Sequence, residues 1–152
     1  MPSIRPVQFS IPARPVLEVP EGVRSLSAGK IAVAWKDARE ARRAVYDALP
    51  LLQSAQAVVL TEILEEGEDA RAADRLKDVA NYLSRHRVDM ITQQVRPADV
   101  TASDSLIRFV QDENIDLLVA GAYGHSRLGE WAFGGVTRGL LAESPVCCLL
   151  SH

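Results

Sequence analysis

The stretch "GAYGHSRLGEWAFGG", residues 121–135, follows directly on the apolar run "IDLLVA" at 115–120, and its reading decides the fold. Glycine is poor in helices and strands and belongs where the backbone needs positive φ or a close approach. A strand that feeds a glycine-rich turn, with helical pattern beyond it, is also where α/β proteins hold phosphates. Working outward, "GGVTRGLLAES" starts a last helix and "PVCCLL" ends the chain as a strand. Upstream, "KIAVAW" (30–35) and "AVVLTEIL" (57–64) are buried strands, and "VDMITQQV" (88–95) alternates as a strand does.

Between these strands the pattern is helical. Ala41, Ala44, Val45, Ala48 and Leu49 share one face of the first helix, and Ala72, Leu76, Val79, Ala80 and Leu83 one face of the second. Asp37 with Glu40 reads as a capping box that opens the first helix, and Ser103 with Asp104 as the cap of the third, "SDSLIRFVQDEN". Strands alternating with helices at this spacing predict an α/β protein with a doubly wound, five-stranded parallel sheet. In such a sheet a ligand sits beyond the carboxyl ends of the strands, where strand order reverses. The glycine-rich stretch after strand four lies at that end.

The 152 residues suit one core, and 47% hydrophobic with 24% charged residues is ordinary for a soluble domain. A net charge of −3 gives no footprint for nucleic acid. The absence of a ~20-residue apolar run or a signal-like N-terminus points away from a membrane and to the cytoplasm. Cys147 and Cys148 are adjacent, so on a strand they point to opposite faces and read as two reduced, buried thiols.

The glycines run Gly121-x-x-Gly124, then nine residues, then Gly134-Gly135-Val136-Thr137. This is neither the dinucleotide fingerprint nor a Walker loop. Gly121 lets the strand end approach a ligand, and Gly124 allows a tight turn. Gly134 and Gly135 expose backbone N–H groups at a helix start, where the dipole favours an anion. Thr137 and His125 add a hydroxyl and an imidazole. A nucleotide, a different anion and a plain structural loop all remain open on these residues.

"GAYGHSRLGEWAFGGVTRGLL" followed by "SPVCCLLS" resembles the universal stress protein family, whose ATP-binding members carry G-x-x-G-x9-G-S/T at this place. The resemblance covers residues 30–152 and implies an adenine nucleotide alpha hydrolase-like sheet of order 3-2-1-4-5, commonly dimeric through the last-strand edge. It implies ATP or AMP, with or without magnesium, between the ends of strands one and four. Gly121, Gly124 and Gly134 match the motif, while Gly135 replaces the usual Ser or Thr. Ile63 falls where the end of strand two pairs adenine through its backbone. After strand one the family's nucleotide binders have Asp, whereas this chain reads Ala34-Trp35-Lys36-Asp37. Lys36 cannot accept a hydrogen bond from a ribose hydroxyl, but it can meet a phosphate. Trp35 stands beside it as a packing residue or a base platform.

A nucleotide-free dimerisation module of the same fold is the alternative, motivated by Lys36 and Gly135. Neither an adenylation motif nor a nucleophile–base set is evident, so turnover is expected to be at most slow ATP hydrolysis. Residues 1–29 form a proline-rich leader holding Pro2, Pro6, Pro12, Pro15 and Pro20. Its "RPVLEVP" (14–20) is similar to the chain's own terminal "SPVCCLLS", as in the second domain of a tandem family protein. A strand at about 14–19 is therefore expected to pair antiparallel with residues 145–150 and to cover an otherwise exposed apolar edge. Exchange of this strand between two copies is preferred over pairing within the chain, although the connection reaches far enough for either.

Overall fold

The computed structural model describes residues 14–64, 69–96, 100–122 and 135–152. The elements are β1 (Val16–Glu18), β2 (Lys30–Trp35), α1 (Arg39–Ser54), β3 (Ala57–Ile63), α2 (Asp69–Arg85), β4 (Ile91–Val95), α3 (Ala102–Asp112), β5 (Leu117–Gly121), α4 (Gly135–Glu143) and β6 (Cys147–Ser151). They build one six-stranded sheet in the order β1-β6-β5-β2-β3-β4. All pairings from β4 to β6 are parallel, and β1 is antiparallel to β6. The five strands from β2 onward thus take the expected 3-2-1-4-5 order.

Strand alternation sorts the core into two layers. Ile31, Val33 and Trp35 of β2 join Leu117, Val119 and Leu149 beneath the buried faces of α1 and α2. Ala32, Leu118, Ala120, Cys148 and Leu150 face α3 and α4 instead. The central strand β5 is buried along its whole length, which explains its unbroken apolar sequence. Asp116, at its foot, interrupts that run because its carboxylate accepts a hydrogen bond from Lys30 N at 2.8 Å. The helix faces agree with the periodicity: Ala41, Ala44, Val45, Ala48 and Leu49 are buried, as are Leu76, Val79 and Leu83. Ala72 lies outside the described side chains.

Two helix starts differ from the sequence reading. α1 begins after Ala38, which has extended backbone and makes no side-chain cap. The Asp37 carboxylate pairs with Arg42 rather than capping. α3 begins earlier than Ser103 suggests, because the Thr101 hydroxyl accepts from Asp104 N at 3.2 Å and is the true cap. Among the described residues no helix is long and apolar enough to cross a membrane.

The leader strand forms where expected, with Val16 opposite Leu150, Leu17 opposite Leu149 and Glu18 opposite Cys148. In the single chain it pairs with that chain's own β6. After it, Pro20 to Val23 make a turn closed by Val23 N to Pro20 O at 3.2 Å. Gly22 holds φ +85° there, the position of such a turn that needs a glycine. Two β6 edges cannot pair directly while β1 occupies this place.

Glu18 makes the docking of β1 sensitive to pH. Its Oε2 is buried with no hydrogen-bond partner among the described residues. Burial raises its carboxyl above the ordinary 4.5. The native state therefore holds this proton more tightly than the unfolded chain does. Stability from Glu18 is complete below 4.5 and is lost as pH rises through the elevated folded value. Glu18→Gln should slow amide exchange at Cys148 to Leu150 at about pH 7, and the gain over wild type should vanish below 4.5.

Candidate functional site

Strand order reverses between β2 and β5. The chain leaves β2 into α1 on one face of the sheet, whereas α4, which leads into β6, packs on the other. The crevice between the carboxyl ends of these two strands is the natural ligand position. Lys36, exposed, stands just past β2, and its carbonyl accepts from Ala38 N at 2.7 Å in a tight turn. Ile63 ends β3, half-buried against the α3/α4 layer. Gly135, Val136 and Thr137 form the first turn of α4; Gly135 is exposed, Val136 half-buried and Thr137 buried. Gly124, His125 and Gly134 lie outside the described residues. Of the predicted set, the structure thus brings Lys36, Ile63 and Gly121 to the strand ends that form this crevice.

Trp35 takes one of its two expected roles, and Gly121 departs from expectation. The Trp35 side chain points into the α1/α2 layer, on the face away from α4, and supports the packing reading. Gly121 is small for a reason internal to the fold. A Cβ built on it would stand 2.6 Å from Ala41 N and 2.7 Å from Glu40 C. The first turn of α1 fills the space that the sequence reading reserved for a ligand. At Gly135, by contrast, an added Cβ meets nothing within 4 Å.

The sequence reading missed the polar groups of β3. Ala120, Ala34 and Thr61 stand level on three adjacent strands, all toward α3 and α4. Small side chains at Ala34 and Ala120 leave the sheet low at the crevice. Thr61 is wholly buried, and its hydroxyl has no partner among the described residues; the same holds for the Ser105 hydroxyl of α3. On the opposite face, Glu62 is 4% exposed and accepts from Arg75 Nε of α2 at 2.9 Å. The signal was present as "TE" inside "AVVLTEIL", two polar residues where a doubly covered strand should be apolar.

The thiols are not activated in the fold. Cys147 and Cys148 are free and buried, and burial pushes both up, Cys148 to about 12. The thiolate form needed for nucleophilic or metal chemistry is suppressed.

With the geometry in place, comparison with known proteins is direct. Residues 27–152 match the Universal stress protein family. The chain belongs to that family. Universal stress proteins of two Mycobacterium tuberculosis strains are 26% identical over 144 residues, covering 84% of this chain and 99% of each relative. Universal stress protein UspA from Lactobacillus plantarum superposes with a TM-score of 0.68 at 16% identity, over 84% of this chain and all of that one. A universal stress protein from Archaeoglobus fulgidus gives 0.70 at 17% identity over 81% of this chain and 98% of that one. A universal stress protein solved in complex with cAMP gives 0.66 at 20% identity over 81% of this chain and 95% of its own. The fold is shared with these three solved structures.

The contact at Gly121 makes a stability prediction. Gly121→Ala forces a methyl group into the backbone of α1's first turn, and overpacking of this kind costs about 1–3 kcal/mol. Urea unfolding should show that loss for Gly121→Ala, while Gly135→Ala, with open space around it, should be neutral or mildly stabilising.

Proposed function

We propose that this universal stress protein is a regulatory protein that binds an adenine nucleotide, ATP or AMP, in the crevice between β2 and β5. The observation that carries the reading is the level row Ala120–Ala34–Thr61, low in side-chain bulk and backed by an unanswered hydroxyl. It lies at the strand-order reversal, with Ile63 at one side. The base lies over Ala34 and Ala120, its edge reaches the backbone at Ile63, and the phosphates turn toward the start of α4. Backbone N–H groups at Gly135 to Thr137 and the helix dipole favour negative charge there. The Thr137 side chain is interior, so the first turn of α4 acts through its backbone. The relative solved with cAMP supports an adenine nucleotide as the ligand class.

Lys36 sets this chain's preference among such ligands. An ammonium cannot accept from ribose hydroxyls, so affinity comes from the phosphate end more than from the nucleoside. The role is regulatory binding, with at most slow hydrolysis. Under the alternative, an interaction module that holds no nucleotide, Lys36 and Gly135 mark a site that has lost its ligand.

Calorimetric titration with ATP, AMP and adenosine, with and without magnesium, separates the two. ATP should bind more tightly than adenosine in wild type. Lys36→Asp should raise adenosine affinity roughly tenfold, the factor expected from one gained charge-assisted hydrogen bond of about 1.4 kcal/mol, while lowering that for ATP. Gly135→Ser should strengthen ATP binding, because a hydroxyl fits the open space at that helix start. No heat from any of the three ligands would favour the interaction module.

A further inference from the structure

On the other face of the sheet the helices leave a second concavity. α1 leans over β5 and β6, and Ser151 Oγ, donating to Asp47 Oδ2 at 2.9 Å, fixes it there. α2 lies over β3. Between them the end of β2 is incompletely covered, and a cleft of about 510 Å³ opens above Trp35. That is within the range of small-molecule sites, ~300–1,000 Å³.

The chemistry of the walls is consistent. Val45 and Tyr46 of α1 face Val79 and Tyr82 of α2 across the cleft. The Tyr82 ring is braced by His86, with centroids 4.5 Å apart. Trp35 belongs to the floor; it is 9% exposed, and its Nε1–H is buried with no acceptor among the described residues. A buried donor left unanswered is destabilising, and a ligand acceptor placed against it relieves that cost. Both arginines at the cleft are ion-paired, Arg42 with Asp37 and Arg75 with Glu62. Asp78 at the rim can take a hydrogen bond from an outward-facing donor.

We infer that this cleft is a binding site for a flat, uncharged heteroaromatic molecule that directs a ring nitrogen or carbonyl acceptor at Trp35 Nε1. Tyrosine and valine walls suit an aromatic body, and with both arginines ion-paired and the Asp78 carboxylate at the rim the cleft disfavours an anion. The site is separate from the nucleotide crevice, and it stands whether or not that crevice binds a nucleotide.

Quinoline and naphthalene test it as a matched pair, because they share a shape and differ by one acceptor. The readout is the indole N–H signal of Trp35 in the ¹⁵N-labelled full chain, distinguished from that of Trp131 by Trp131→Phe. Quinoline should move the Trp35 signal downfield saturably, and naphthalene should move it far less. Val79→Phe, which fills the cleft, should weaken the quinoline response at least tenfold. Tyr46→Ala, at a side chain 63% exposed and safe for folding, should weaken it severalfold. A Trp35 signal that stays in place up to the solubility limit of quinoline overturns the site. An equal response to naphthalene, or responses unchanged in both variants, does so too. Parallel titration with ATP, read at the amides of Gly135 to Thr137, reports on the crevice independently.

Discussion

The arrangement of this protein depends on how closely the end of β5 meets the first turn of α1. Main chain approaches main chain at Gly121, with no room for a methyl group between them. At that end α1 lies mainly over β5 and β6 and less over β2. On one face the end of β2 is left open between α1 and α2; on the other, the small side chains of Ala34 and Ala120 stand at the strand-order reversal. A single glycine thus sets how near the start of α1, one wall of the cleft over Trp35, can come to the sheet.

Polar groups inside the sheet mark the same end of the molecule. Thr61 and Glu62 are neighbours on β3 and point to opposite faces, one toward the crevice layer and one toward α2. Glu62 is answered by Arg75, an arrangement that tolerates a buried carboxylate because the guanidinium comes with it. Thr61 has no such protein partner among the described residues. Polar side chains at the carboxyl end of a strand covered on both faces set β3 apart from the wholly apolar β5.

Much of the scaffold was legible in the sequence because burial imposes period. "KIAVAW" is β2 residue for residue, and the stripe of α1 and Leu76, Val79 and Leu83 of α2 fall on buried positions. Helix starts were less legible. Asp37 has the composition of a cap, but whether its carboxylate turns to the backbone or to Arg42 is decided by side-chain geometry that no local pattern encodes. Gly121 shows the same limit: sequence reveals that something must come close, not what it is. The leader was legible as a strand from its likeness to residues 144–151, yet its pairing within the chain was not, since the connection spans either route. The cleft over Trp35 left no local sequence signal at all, because it arises from how two successive helices, α1 and α2, stand apart over the sheet.

The short strand β1 has a consequence for how the protein ages in solution. It contributes three residues, carries a carboxylate that resists burial, and leaves Leu17 and Val19 40% and 50% exposed. It is therefore held more weakly than the strands it protects, and local opening begins at such places. Once it lifts, β6 presents the bare edge of an apolar strand, ready to template pairing with another molecule. Loss of the protein on storage would then follow the detachment rate of its leader, not the melting of its core, and a protease that trims the leader would shorten its working life while leaving the fold intact.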